Sequence, residues 1–463
     1  MNTNESIRQN PLGTEPVGKL LRQFAIPSII AMLVSALYNI VDQFFIGRSV
    51  GELGNAATNV AFPLSISCTA LALLFGIGGA AAFNLAMGQG KKDEAIHYIG
   101  NAALMLFSCG LVLTLITQLF LTPMLILFGA PDNVLGYATT YTRITSLGFP
   151  FLIMATGGGH LIRADGSPRF TMICNMTGAI INTILDALFV FVFQWGMAGA
   201  ALATIIGQYI SGGMAIYYLF HYKTVPLKLK HLYPQPRAIT KVVSLGGASF
   251  VNQISMMIVQ ITMNKSLSYY GALSVYGAAI PLACVGIVSK VGMLFFSFII
   301  GISQGLQPII SFNYGARKYD RVKSSFLLAC KIGGLISLIS FIVFQIFPRN
   351  IIAVFGNGSE EYFQFGIRYF RIYFFFTFWN FLQPISSNFF SSIGKPTRGM
   401  FLSLTRQIIF LLPLILILPL FGGIDGIIYA GPIADFMAGV VAITMLVKEF
   451  RSPEFTSNHA HIH

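Results

Sequence analysis

The chain is short of charge. Of its 463 residues only 10% are Asp, Glu, Lys or Arg, against 55% that are hydrophobic. A large soluble helical core would need polar outer faces, and this composition cannot supply them. Cysteine is sparse as well. Cys68, Cys109, Cys174, Cys284 and Cys330 are odd in number, scattered, and lie within or beside apolar runs. That pattern argues against both a disulfide framework and a metal site. No glycine loop ends in Gly-Lys-Ser/Thr, and no soluble stretch is long enough to hold one, so an ATP-driven pump is not expected. Nothing pairs a nucleophile with a histidine: His97, His160, His221 and His231 read as loop or interface residues, and Gly157-Gly-Gly as a flexible helix end. Neither an enzyme nor a cofactor is implied. A cleavable signal peptide is not expected, because about 19 polar residues precede the first apolar run.

What is present is length of apolar chain. About twelve runs of about 20 residues each, enough to cross a bilayer core, follow one another. They begin near Leu20 and end with a run starting near Gly426; the fourth starts near Leu135 and the tenth near Tyr362. The expected fold is an all-α integral membrane protein of twelve transmembrane helices. The formal net charge of +13 is not a nucleic-acid footprint, since its basic residues are dispersed over alternate loops. They occupy the N-terminal tail (Arg8, Lys19, Arg22), Lys91 and Lys92, Arg163 and Arg169, the 223–241 connector, 317–323, Lys395 and Arg398, and Lys448 and Arg451. The intervening loops, at 51–55, 129–133 and 356–361, are poor in Lys and Arg. The positive-inside rule places the basic loops, and with an even span count both termini, in the cytoplasm.

The chain also repeats itself. The run from Gly76 through Gly88-Gln-Gly-Lys-Lys returns, diverged, from Gly301 through Tyr314-Gly-Ala-Arg-Lys. Gly166-Ser-Pro-Arg matches Gly394-Lys-Pro-Thr-Arg, and Trp195-Gly-Met-Ala-Gly matches Gly422-Gly-Ile-Asp-Gly. Six spans per copy is even, so both copies enter the membrane from one side, as a parallel repeat with a cavity between the lobes. The proline-rich hydrophilic stretch around Pro226, Pro234 and Pro236 is the natural linker. The expected organisation is a six-helix lobe over 1–225, a linker over 226–240, a second lobe over 241–450 and a tail over 451–463. The tail's Asn458-His-Ala-His-Ile-His reads as a terminal remnant, although it could chelate a metal. A duplicated membrane bundle points to a secondary transporter.

Two carboxylates lie inside spans, Asp42 in the first and Asp186 in the fifth. A carboxylate at membrane depth is costly unless paired, hydrated or protonated. Burial disfavours the charged form of a carboxyl, which is the property a proton carrier needs. Ser35, Asn39 and Asp42 share one helix face; Asn175, Asn182 and Asp186 share another; Thr204, Gln208 and Ser211 form a third polar stripe. Converging, these stripes would make a pocket of oxygen ligands suited to Na⁺ or a proton. Ordinary polar packing between membrane helices is the competing reading. The second copy has Leu414 where the first has Asp186, so ion coupling is expected in the first lobe; Asp435 and Lys290 are weaker candidates. On the seventh span Gln253, Gln260 and Asn264 share a face with Met257 nearby, and the tenth is rich in aromatics. Such surfaces adapt to flat or cationic organic molecules; lipid-facing bulk is the plainer reading for most of the phenylalanines.

These features together resemble the multidrug and toxic compound extrusion family, in its bacterial DinF/MepA-type branch. The residues that carry the likeness are Pro27…Asp42, the Gly88-Gln-Gly loop, Arg163-Ala-Asp-Gly-Ser-Pro, and Asn182…Asp186. The resemblance implies two pseudo-symmetric six-helix lobes in a V, in a multi-pass protein of the bacterial inner membrane. It implies export of lipophilic organic cations in exchange for H⁺ or Na⁺, with a monomer sufficient. It further implies a proton or Na⁺ site at Asp42, Asn182, Asp186 and Thr204, and a bend of the first helix at Pro27. Asn39, Asn175, Gln208, Gln253, Met257, Gln260 and Lys290 are the candidates to line a substrate cavity. The acids that the NorM-like branch carries on its seventh and tenth spans are missing here. A flippase for a lipid-linked or amphipathic substrate is the alternative, and a channel or a receptor a more distant one.

Overall fold

The computed structural model describes residues 10–128, 130, 132–277, 279–355 and 359–456. Arg8 and the histidines at 459, 461 and 463 lie outside the described residues, as do parts of the 129–133 and 356–361 loops. Helix dominates, and no strand occurs among the described residues. In the first lobe α1 is Val17–Ser49, α2 Glu52–Gly88, α3 Lys92–Leu119, α4 Asp132–Thr145, α5 Phe149–Ala164, α6 Pro168–Asp186 and α7 Gly196–Phe220. The second lobe repeats the order: α8 Pro236–Ala272, α9 Ala279–Gly315, α10 Tyr319–Ile346, α11 Glu360–Tyr373, α12 Leu382–Ser392, α13 Pro396–Leu404, α14 Leu412–Gly422 and α15 Ile424–Phe450.

Ten helical stretches are long and apolar enough to cross a membrane, with α13 and α14 counting as one. The two remaining expected spans are broken. α4 meets α5 through a short 3₁₀ turn at Ser146–Gly148, and α11 meets α12 through turns around Thr377–Trp379. Each broken segment fills the same place in its lobe. Twelve segments in two six-membered lobes result.

The repeat is written in its turns. Gly90 and Arg317 occupy equivalent positions between the second and third helices of each lobe, with φ of 78° and 57°. Gly166 and Gly394 take φ of 79° and 77°, and Gly196 and Gly423 take 56° and 55°. Left-handed backbone favours glycine, so Arg317 holds this shape against a modest cost. Proline then opens the next helix at Pro168 and Pro396, where its missing N–H is harmless.

The lobes meet over the half nearer the basic loops. Close approach there depends on glycine. A β-carbon at Gly78 would lie 1.9 Å from the Val242 carbonyl oxygen, and one at Gly246 would lie 1.8 Å from that of Leu74. Gly301 and Gly305 of α9 rest on Ile29 and Ala25 of α1 in the same way. Side chains of the second lobe fasten the N-terminal turn at Pro11–Thr14. Asn313 Nδ2 donates to the Leu12 carbonyl at 2.8 Å, Lys318 Nζ to that of Gly13 at 2.7 Å, and Arg321 Nη2 to that of Glu15 at 2.6 Å. Every side-chain hydrogen bond that joins the two lobes directly, among the described residues, connects positions 12–77 to positions 297–321. Gly246→Leu should therefore prise this end open. Spin labels at Lys91 and Arg317 would then separate by several ångströms relative to the starting protein, and an unchanged distance would show that the seam does not depend on glycine.

Candidate functional site

Two glycines bring α6 and α7 together. A β-carbon at Gly207 would sit 2.7 Å from the Gly178 carbonyl oxygen, and one at Gly178 would meet Ser211. Such small-residue contacts let membrane helices approach backbone to backbone. They set Asn182 beside Thr204: Asn182 Nδ2 donates to Thr204 Oγ1 at 3.3 Å, and that hydroxyl donates to the Ala200 carbonyl at 3.0 Å. Asp186 is the last residue of α6, where the backbone relaxes into a π-helical turn over Ala187–Val192. Such wide turns often occur at functional positions. α1 packs across α6 and carries Asp42, whose carboxyl faces that of Asp186.

All four of these side chains are buried, Asp186 completely. Both oxygens of Asp186, Oδ1 of Asp42 and Oδ1 of Asn182 are shut from solvent without a hydrogen-bond donor among the described residues. Two facing carboxylates with no donor are unstable at such a place, because each buried charge costs several kcal/mol, on the order of a lost ion pair. A proton shared between the carboxyls, or a cation held by the oxygens, removes that penalty. The oxygen-rich donor set fits a hard cation, with the amide and hydroxyl oxygens as neutral ligands.

Of the expected residues, the structure gathers Asp42, Asn182, Asp186 and Thr204. The others stand apart from the aspartates. Asn39 is exposed and its amide turns back to the Ser35 carbonyl at 2.8 Å. Asn175 lies about three turns from Asp186 along α6, half-buried. Gln208 packs against Gly148 at the break between α4 and α5. Gln253 and Met257 are half-buried on α8, Gln260 donates to Asn264 at 3.0 Å, and Lys290 on α9 has no carboxylate partner among the described residues. Pro27 lies within the unbroken α1, between the two points where Ala25 and Ile29 meet the glycines of α9.

Sequence reasoning passed over two tyrosines. The hydroxyls of Tyr38 and Tyr141 lie by Thr204, in the neighbourhood of the two aspartates but not bonded to their orphaned oxygens. Tyr38 precedes Asp42 by four residues, so the helical period already put it on that face. Tyr141 comes from the amphipathic α4 and had no comparable signal. It passed over Arg406 too, which meets Asp435 in the second lobe at 2.5 Å. Asn380 donates to the other oxygen of Asp435 at 2.8 Å.

The MatE family model matches residues 27–188 and 248–417, one block in each lobe. The chain belongs to the MatE family. This MATE chain is 25% identical over 344 residues to the multidrug export protein MepA of Staphylococcus haemolyticus, covering 74% of each chain. To MepA of Staphylococcus aureus strain MRSA252 it is 22% identical over 437 residues, 93% of this chain and 94% of that one. Among solved structures, the MATE multidrug transporter DinF-BH superposes with a TM-score of 0.88 at 34% identity, covering 96% of this chain and 98% of that one. The outward-facing conformation of a multidrug resistance MATE transporter of the MOP superfamily superposes at 0.87 and 21% identity, with 98% and 99% covered. The MATE fold and the bacterial MATE type are thereby established for this membrane transporter.

Proposed function

We propose that this MATE transporter exports lipophilic organic cations in exchange for H⁺ or Na⁺ by alternating access. The observation that carries the proposal is the set of buried, donorless oxygens on Asp42, Asn182 and Asp186, with Thr204 completing the ligands. A site that needs a mobile positive charge is what ion coupling requires. The expected orientation has the basic loops in the cytoplasm of a bacterial cell, both termini inside, and the lobes closed toward that side. The shape then corresponds to an outward-open state.

Coupling follows if the ion and the substrate each bind the two lobe orientations unequally. α1 offers the mechanical link, because it carries both Asp42 and the seam residues Ala25 and Ile29. A bend at Pro27, between those two contacts, would part the seam without unravelling the outer half of the helix. No partner subunit is needed for this scheme.

Counter-transport in proteoliposomes tests it. A fluorescent lipophilic cation is loaded, and a pH jump and a Na⁺ jump are imposed separately. Export driven by one of them identifies the coupling ion. If intact protein responds to neither, cation antiport is wrong, and the lipid flippase takes its place with unpaired Lys290 as the first residue to test against anionic cargo.

A further inference from the structure

The connector between the lobes is not a slack tether. It leaves α7 at Phe220 and enters α8 at Pro236, and both are span ends on the basic-loop side. On the way it is fastened to the first lobe. The backbone N–H groups of Lys223 and Thr224 donate to the Asp165 carboxylate at 2.7 and 2.8 Å. The Gln235 N–H donates to Asn101 Oδ1 at 2.7 Å. His231 is buried and accepts the Lys228 N–H on Nδ1 at 2.9 Å. Its carbonyl covers Gly100 so closely that a β-carbon there would come within 2.1 Å. Burial, the neighbouring His97 and the flanking lysines hold His231 below the ordinary histidine range, which keeps that acceptor neutral.

The attachment is to the start of α3. That helix has 28 residues, about 42 Å of length, against a hydrocarbon core of about 30 Å. The helix exceeds the core by about 12 Å in all, so the end to which the connector is fastened, at His97, Gly100 and Asn101, extends toward the headgroups on the basic-loop side. There the connector turns apolar side chains outward. Leu229 is 76% exposed and Tyr233 74% exposed. Lys228, Lys230 and Arg237 beside them are exposed as well, and none has a carboxylate partner among the described residues. The pinned backbone thus presents leucine and tyrosine between cations that have no carboxylate partner among the described residues.

We propose that the connector is a docking surface for anionic lipid headgroups of the leaflet on the basic-loop side. Lys228, Lys230 and Arg237 receive the lipid phosphates, and Leu229 and Tyr233 enter the interface between headgroups and acyl chains. Charge complementarity selects the occupant: an anionic leaflet attracts unpaired lysine and arginine at its surface, and tyrosine favours the same depth. Because the connector is fastened to the first lobe, lipid bound at Lys228 and Lys230 anchors that lobe, and Arg237 brings the start of α8 to the same lipid.

The test places a reporter on the full-length protein. Pro234→Cys, next to Tyr233 and exposed, is labelled with a fluorophore in nanodiscs. Nitroxide-bearing phosphatidylglycerol and phosphatidylcholine are compared as quenchers at equal mole fraction. The anionic lipid should quench roughly twofold more strongly, or better. Lys228→Gln with Lys230→Gln and Arg237→Gln should equalise the two lipids, and Leu229→Ser with Tyr233→Ser should weaken quenching by both. Equal quenching in the starting protein, or a preference that survives neutralisation, overturns the proposal. So does quenching by neither lipid, which would put the connector in water. The readout is independent of transport, so the outcome leaves the antiport reading untouched.

Discussion

Asp42→Asn combined with Asp186→Asn is expected to abolish gradient-driven export while leaving the protein folded. The loss should be on the order of a hundredfold, the upper range of coupling between sites. Asparagine is nearly isosteric with aspartate and brings an N–H₂ donor to oxygens that lack one, so the buried packing gains partners. What it cannot do is take up a proton or balance a bound cation. The two effects are separable, since thermal unfolding in detergent reports the packing and counter-transport reports the coupling. A double variant that still exports against a gradient at the starting rate would sink the proposed site. Asn182→Ala should give a smaller loss, because Thr204 and both carboxylates remain as ligands.

The expected effect is large because the site lies far from the closure it is proposed to govern. Fifteen residues of continuous α1 separate Asp42 from Pro27, about 22 Å along the axis. Packing of α1 against α6 at one end and against Gly301 of α9 at Ile29 makes the stretch beyond Pro27 a single element that answers to both. The physical warrant for coupling is an element of that kind, biased at both of its ends. Under the proposed mechanism, neutralising Asp42 and Asp186 leaves nothing at that end of α1 to distinguish the two packings.

Much of this was legible in the sequence, for reasons that differ from residue to residue. Scarce charge and long apolar runs dictated membrane helices, and paired glycine turns exposed the duplication. Asp42, Asn182 and Asp186 were visible because polar groups inside apolar helices are costly, so their presence asks for a reason. The breaks in the fourth and tenth segments were not visible, because the hydrophobicity of Ser146-Leu-Gly and of the Phe374–Phe381 region matches that of an unbroken span. Gln208 shares a stripe with Thr204 in sequence, yet Gly148 draws it toward the α4–α5 break. Periodicity assigns a face to each helix but does not say which neighbour that face will meet. Arg406 was hidden for the same reason. One cation in the apolar run 401–421 has no partner until α13, the π-helical turn at Thr405–Leu411 and α15 are assembled.

That buried pair supplies the second large expectation. Arg406→Met should destabilise the protein by about 3–5 kcal/mol, the usual cost of leaving one member of a buried ion pair alone. Asp435 is almost wholly buried and has both oxygens engaged, one by Arg406 and the other by Asn380. It lies on α15 between Gly431 and Gly439, which receive the rings of Tyr373 and Trp379. Adding Asp435→Asn to Arg406→Met should recover most of the loss, because the amide keeps an acceptor for Asn380 and carries no charge. Thermal unfolding of the two variants in the same detergent measures the difference. If Arg406→Met alone unfolds at the temperature of the starting protein, Asp435 is not held by this pair. The contrast between the lobes then has a physical meaning. In the second lobe a tethered guanidinium permanently balances the buried carboxylate. In the first, Asp42 and Asp186 have no such partner among the described residues, which is the property the proposed exchange of an external ion would use.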